Sequence, residues 1–263
     1  MIDRVLANQQ TDDAALPLYQ RVERHQIREH ASDAAPSDDK TYRIIPIGTG
    51  SGWRVTMEDH GHAVSTADYQ TQIANVERAL EIVTDPTNEK SKRDLDKYRR
   101  HLKERADLVA AARDGYSFTW IARESRDGRS LAKIRMDPNP KFKPTLRETE
   151  IFSHTVVTLW VDEASAHVAR IEAQLNSDYG VGGGVVGKVF RGSHLVIEQK
   201  EVAPGVWLPS LYQYDIIGRK FLFGSEFHER TEASRYVRIG PPNEALAFIR
   251  RELTPAIAPR GPQ

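Results

Sequence analysis

Residues 155–175 read T-V-V-T-L-W-V-D-E-A-S-A-H-V-A-R-I-E-A-Q-L. Thr155–Val161 is a short β-branched, apolar run, and Asp162-Glu-Ala-Ser165 has the composition of a turn. From His167 to Leu175, Ala169, Ile171, Ala173 and Leu175 alternate with Val168, Arg170, Glu172 and Gln174. A period of two with one polar side is what a strand with one buried face requires. The chain repeats this grammar downstream, in Val185–Phe190, Ser193–Val202, Val206–Ile217 and Lys220–Thr231. Arg191-Gly192, Pro204-Gly205 and Gly218 separate these runs. Upstream, Tyr116, Phe118 and Trp120 alternate with Ser117, Thr119 and Ile121, and Asp127-Gly128 turns the chain into Leu131–Met136. Consecutive strands joined by short turns make an antiparallel meander.

Before this sheet the period changes. Ile2, Val5 and Leu6 allow two helical turns, Leu18–His30 reads as a long and charged strand, and Ala31–Lys40 is an exposed loop. Thr41–Ile47 and Ser51–Glu58 are strands joined at Gly48-Thr-Gly50, and Asp59–His62 is a tight turn. Tyr69, Ile73, Val76, Leu80 and Val83 then recur at helical spacing, as do Leu95, Tyr98, Leu102, Ala106 and Val109. Asp85-Pro86 fits an N-cap and first position for the second helix, and Gly115 a stop. The expected hairpin covers Ser65–Asp114. Its lysines and arginines are interleaved with Asp94, Asp96, Glu104 and Asp107, the pattern of a solvated face laced with local ion pairs. Pro138–Pro144 is a crossing segment, Thr145–Phe152 has helical character, and Glu244–Arg251 reads as a last helix before a mobile tail.

The 263 residues include 37 Lys+Arg, 37 Asp+Glu and no cysteine. Zero cysteine excludes disulfides, thiolate metal sites, a cysteine nucleophile and a lipid anchor on an N-terminal Cys. A balanced charge gives no basic field to draw nucleic acid, and no apolar run is long enough for a transmembrane helix. The first residues lack the basic and apolar regions of a signal peptide.

Motifs for chemistry are sparse. Gly182–Val189 (G-G-G-V-V-G-K-V) stops one residue short of a phosphate-binding loop, with Val189 where the hydroxyl belongs and a strand where the helix belongs. It reads as a strand connection. His60-Gly-His62 and the scattered His25, His154, His167, His194 and His228 have no metal-ligand spacing. Gly192-Ser-His194 fits no nucleophile elbow, and neither Glu148/Glu150 nor Glu226/Glu229 stands out as an acid–base pair. No catalytic residue, metal or cofactor is expected.

Aromatic residues remain. Trp120, Trp160 and Trp207 with Phe118, Phe190, Phe221, Phe223 and Phe227 sit in the strands, where most serve a core. A curved sheet capped by helices can leave part of its concave face to a ligand.

Leu159-Trp160-Val161-Asp162 followed by Val168-Ala-Arg-Ile171 resembles a unit of the outer-membrane lipoprotein carriers, the LolA/LolB-like proteins. Phe190-Arg-Gly-Ser193, Gly205-Val-Trp-Leu-Pro209 and Gly218-Arg-Lys-Phe221 continue the resemblance, which spans roughly 116–237. It implies an α+β fold: an unclosed antiparallel half-barrel with helices on its concave side, here a single domain over 1–263 with the hairpin inserted at about 65–114 and a flexible tail from about 252. It also implies a non-enzymatic periplasmic protein, in mature form without its signal peptide, holding a lipid or the acyl chain of a lipoprotein. The expected cavity wall is Tyr116, Phe118, Trp120, Trp160, Phe221, Phe223 and Phe227. The other reading is a structural envelope protein with a filled core and the hairpin as contact surface.

Overall fold

In a computed structural model of the chain, residues 1–50, 52–144, 146–181, 187–220 and 223–254 are described. Helix α1 (Ile2–Ala15) leads into β1 (Tyr19–Arg28), β2 (Asp38–Pro46), β3 (Gly52–Asp59) and β4 (His62–Ala63). Helices α2 (Thr66–Thr84) and α3 (Glu89–Gly115) follow, then β5 (Tyr116–Arg126), β6 (Arg129–Pro138) and a 3-10 segment at Arg147–His154. The remaining strands are β7 (Thr155–Asp162), β8 (Val168–Leu175), β9 (Tyr179–Val181), β10 (Gly187–Val189), β11 (His194–Ala203), β12 (Val206–Lys220) and β13 (Phe223–Arg238), with α4 (Pro242–Leu253) last. Of the glycine-rich stretch only 187–189 is described, as β10, and the rest of it lies outside the described residues.

All strands join one antiparallel sheet in the order β4-β3-β2-β1-β13-β12-β11-β8-β7-β6-β5, with β10 and β9 appended to β12. The fold is α+β with an open, half-barrel-like sheet whose first and last strands, β4 and β5, do not pair.

Two local expectations shift. Helix α1 runs for 14 residues rather than two turns. Its second half is held by polar contacts that no apolar period reveals. Asn8 Nδ2 donates to the carbonyls of Ser165 and Ala166, and Asp12 Oδ1 accepts from the Trp207 amide at 2.9 Å. The second correction concerns the cap of α3, which is Asn88 and not Asp85. The Asn88 side chain accepts from the Ser91 amide, whereas Asp85 ends α2 and turns its carboxylate onto Thr87. Both residues can cap, and the two residues of turn between them, Pro86 and Thr87, decide which one does.

Cross-strand partners point to the same side of a sheet, so the register defines the faces. From β5 to β2 one row reads Trp120, Ile134, Leu159, Ile171, Ile197, Tyr212, Thr231, His25, Lys40. Its neighbour reads Phe118, Met136, Val157, Ala173, Leu195, Tyr214, Glu229, Ile27, Asp38. These rows form the inner face.

Two separate cores hold the layers. On the inner face, Ile134, Met136, Val157, Leu159 and Val161 pack with Val5 of α1, Phe152 and the Leu108, Ala111 and Ala112 end of α3. At the other end, Ile45 and Val55 pack with Ile73, Val76 and Leu80 of α2 and with Ala245 and Ile249 of α4. In β2, Arg43 and Ile45 alternate with the inner-face Tyr42 and Ile44, so α2 and α4 lie on the outer face. The helices of the hairpin thus serve opposite sides of the sheet, tied at their junction by Ser91 Oγ donating to the Ile82 carbonyl. Along α3 the charged face is laced as expected, with Lys92–Glu89, Arg99–Asp96 and Lys103–Asp107 pairs.

Leu80 and Ile249 are fully buried in the second core, whereas Ile82 of the same helix is 51% exposed. Leu80→Ala and Ile249→Ala should each lower stability by about 2–5 kcal/mol, from lost transfer energy and the cavity left behind. Ile82→Ala should stay within about 0.5 kcal/mol. Urea unfolding of the three variants checks this ordering.

Candidate functional site

The inner face is divided by α3. At one end the Tyr98 ring lies on the β2–β3 turn, where a Cβ at Gly50 would stand 2.3 Å from it, and Gly50 has φ +83°. Glycine is required there by both space and backbone. Midway, Arg105 holds Asp13 through two hydrogen bonds of 2.7 and 2.9 Å. The last turns enter the inner core. Between α3 and the turn lies a cavity of about 220 Å³ lined by Arg21, Pro46, Tyr98, His101, Leu102 and Arg105 among others.

Under and beside the helix the inner face is only partly covered, with Arg105 facing Tyr212 and Tyr214, and Ile171 and Ala173 packed against the same core as Leu108. Ile171, Ala173, Leu195, Ile197, Tyr212, Tyr214 and Ile216 are only half-buried. Trp120 at one side is 49% exposed and Phe227 at the other 39% exposed. Phe227 pairs with Ile216, two positions beyond the Glu229–Tyr214 pair, and so shares the inner face.

The residues expected to line a cavity are distributed as follows. Tyr116 is buried against Phe152, with ring centroids 5.0 Å apart, and burial raises its phenol well above the ordinary range. Phe118 packs against the inner core, and Trp120 extends the same side into solvent with Arg123 over its ring. Trp160 pairs with Lys133 and Arg170, positions that alternate with the inner-face Ile134 and Ile171. It therefore lies on the outer face, its Nε1 donating to Glu124 at 2.7 Å and Lys133 and Arg170 over its ring. Phe221 and the Phe223 side chain lie outside the described residues. Tyr116, Phe118, Trp120 and Phe227 share the inner side, and Trp160 does not join them.

Sequence reasoning passed over the centre of that face, where the rows turn from aliphatic to polar. Strands β1, β12 and β13 bring Arg21, Glu23, His25, Tyr212, Tyr214 and Glu229 together. His25 stands between two carboxylates, Nε2 3.2 Å from Glu23 Oε2 and Nδ1 3.3 Å from Glu229 Oε1. Arg21 Nε donates to the other Glu23 oxygen at 2.6 Å. Burial would raise the Glu23 carboxyl, but the hydrogen bonds from His25 and Arg21 outweigh it and hold the group below its usual range. Burial pushes the Tyr212 phenol up to about 12, so it stays neutral. The available signal was the density of charge in Leu18–His30, unusual for a strand in the middle of a sheet.

The outer face carries a different polar array. His194 Nε2 and His228 Nδ1 both meet Asp215, at 3.0 and 2.7 Å, and His228 Nε2 faces Glu226 at 3.4 Å. Among the described residues one group brings three potential metal-ligating atoms within 4.8 Å of one another, Asp38, Asp59 and His60. It is solvent-facing, and the Lys40 ammonium already holds Asp38 at 2.7 Å. Among the described residues no hydroxyl is aligned with a histidine–carboxylate pair as a nucleophile would be.

No family model matches the chain, and no curated protein is significantly similar to it. Among solved structures it is similar to an outer membrane lipoprotein-sorting protein domain from Vibrio parahaemolyticus, at 10% identity and TM-score 0.34, over 90% of this chain and 93% of that one. It is also similar to a LolA superfamily protein from Nitrosomonas europaea, at 13% identity and TM-score 0.33, over 92% of this chain and 96% of that one. A third is a DUF1329 family protein from Desulfovibrio piger, at 12% identity and TM-score 0.28, over 89% of this chain and 92% of that one.

The outer histidine array gives a pH signature. The Asp215 hydrogen bond raises His228 above its ordinary value of 6.5. Burial would raise Asp215, but its bonds from Gln213 and His228 bring it below 3.8. A raised histidine stabilises the fold fully below its unfolded value and loses that contribution as pH climbs through the folded one. A lowered aspartate contributes above its unfolded value and loses it as pH falls through the folded one. The pair therefore stabilises between about pH 4 and a limit above about 6.5. Asp215→Asn should destabilise clearly at about pH 6 and much less at about pH 9. NMR titration of His228 in both proteins should show its midpoint fall in the variant.

Proposed function

We propose that this is a non-enzymatic binding protein that shelters a hydrophobic ligand, such as a lipid or the acyl chain of a lipoprotein, on the inner face of its half-barrel. One observation carries the reading. The aliphatic rows of the inner core continue without a change of register into Ile171, Ile197, Ala173 and Leu195, which α3 leaves half-buried, with Trp120 and Phe227 exposed at either side. Apolar surface of this kind gains roughly 25 cal/mol for each Å² it covers, which favours an apolar occupant over water. The carrier resemblance of the sequence points the same way and suggests the periplasm as the compartment. Among the described residues no helix is long and apolar enough to cross a membrane.

The contact-surface reading requires an exposed apolar patch on the hairpin. Among its described residues the large exposed hydrophobic is Ile82, and the outer side of α3 is taken up by ion pairs.

Native mass spectrometry of the purified protein, before and after lipid extraction, should show a bound or exchangeable amphiphile. Trp120→Ala combined with Phe227→Ala should weaken that binding by roughly tenfold while leaving the fold intact by circular dichroism. Failure to detect any bound amphiphile, either native or added, would end this reading.

A further inference from the structure

The two ends of the inner rows differ in chemistry. The row from Trp120 through Ile134, Leu159, Ile171 and Ile197 is aliphatic or aromatic, and at Tyr212 it turns into Thr231, His25 and Lys40. A purely hydrocarbon ligand has no use for the second half. Burying polar groups against it would cost free energy at each unpaired hydrogen-bonding atom.

The polar half has a specific composition. The Tyr212 and Tyr214 rings lie parallel at 6.5 Å, and the Tyr42 ring meets His25 edge-on at 5.7 Å, with Arg54 5.4 Å from the Tyr42 centroid. The two pairs stand on the same face, with β13 between them. Tyr42, Tyr212 and Tyr214 are half-buried, and among the described residues their hydroxyls bond to no protein group. Unlike the four buried polar atoms that lack partners elsewhere, they are not sealed from solvent. The charged groups around Tyr212 and Tyr214 are already matched, and Arg105 of α3, which faces both rings, is held by Asp13. Arg21 holds Glu23, His25 lies between Glu23 and Glu229, and Thr231 Oγ1 donates to Glu229 at 3.1 Å. Free hydroxyls on the Tyr212 and Tyr214 rings, kept neutral by burial and set beside carboxylates with unused lone pairs, suit a neutral ligand rich in hydroxyls better than a phosphate or an ammonium.

We infer that the Tyr212–Tyr214 pair, with His25 and its carboxylates on the neighbouring strands, is a subsite for a polyhydroxylated group, a sugar or a similar polyol. The group is carried as the head of an amphiphile whose tail lies across β11, β8 and β7. This inference rests on the proposed sheltering function and adds the chemistry and orientation of the ligand. The same hydroxyl chemistry could come from a free sugar, and the test separates the two sources.

Octyl β-glucoside, octanoate of similar chain length and glucose serve as probes, each below its aggregation threshold, with binding followed by ligand-observed NMR on the full chain. The wild type is expected to bind the glucoside about tenfold more tightly than octanoate. Tyr212→Phe with Tyr214→Phe keeps the rings and removes the hydroxyls, so it should cut glucoside binding by about five- to tenfold and leave octanoate unchanged. Equal binding of glucoside and octanoate, with a silent double variant, overturns the polyol subsite and leaves the sheltering function standing. Glucose binding as tightly as the glucoside, and responding to the variant, upholds the subsite but overturns the amphiphile as its source. If none of the three probes binds, both the subsite and the function it rests on fail. Unchanged circular dichroism and thermal unfolding confirm that the variant is folded.

Discussion

Helix α3 sets what the sheet can do. Its 27 residues extend about 40 Å, enough to cross the inner face from the β2–β3 turn to the start of β5. From Tyr98 onward it is fixed by three different interactions. Tyr98 rests on the backbone of Gly50, Arg105 clamps Asp13 at the end of α1, and Leu108, Ala111 and Ala112 enter the inner core. An open sheet of this size curves because its strands twist, and without a filler its concave side would be wide and wet. The helix fills one side of the concavity and leaves the other half-covered. The partly exposed strip is a consequence of where α3 is pinned, not of a shortage of apolar residues.

The two faces of the sheet solve opposite problems. Outside, charges are paired across strands. Arg126 and Arg170 both meet Glu198, Arg129 meets Asp162 and Glu201, and Lys133 meets Glu124 over the Trp160 ring. Asp162 is buried beneath Arg129, while the more exposed pairs contribute little stability individually but keep a long strand face solvated. Inside, aliphatic rows end in a belt of tyrosines and matched charges. The zero net charge of the chain thus conceals an uneven distribution: dense compensated charge outside, and a gradient from hydrocarbon to hydroxyl inside.

The strands were legible because alternation marks them strongly, as in Ala169–Leu175, and the meander follows from their short turns. The face of an individual side chain was legible only where one of its two sets is polar. In Thr155–Val161 both Val157, Leu159, Val161 and Val156, Trp160 are apolar, so period alone gives Trp160 no side. The register with Lys133 and Arg170 places it outside. The polar belt was hidden for another reason. His25 and Glu229 are distant in sequence, and only the pairing of β1 with β13 sets them together. Helix α1 was under-read because Asn8 and Asp12 stabilise it through partners about 160 to 200 residues away.

The same register argument links fold to binding. A slip of one residue between β12 and β13 would exchange the inner Tyr214–Glu229 pair for outer residues such as Gln213 and Arg230, and would put charge into the apolar strip. That penalty guards the pairing, since the outer Asp215–His228 contact would be lost in the same slip. The β12–β13 ladder is thus specified from both sides, by tyrosines and a carboxylate within and by an ion pair without. The polar half of the inner face begins with the tyrosines of this ladder, one strand beyond the apolar β11. For the proposed amphiphile, the pairing that fixes the fold would also fix where its head group lies.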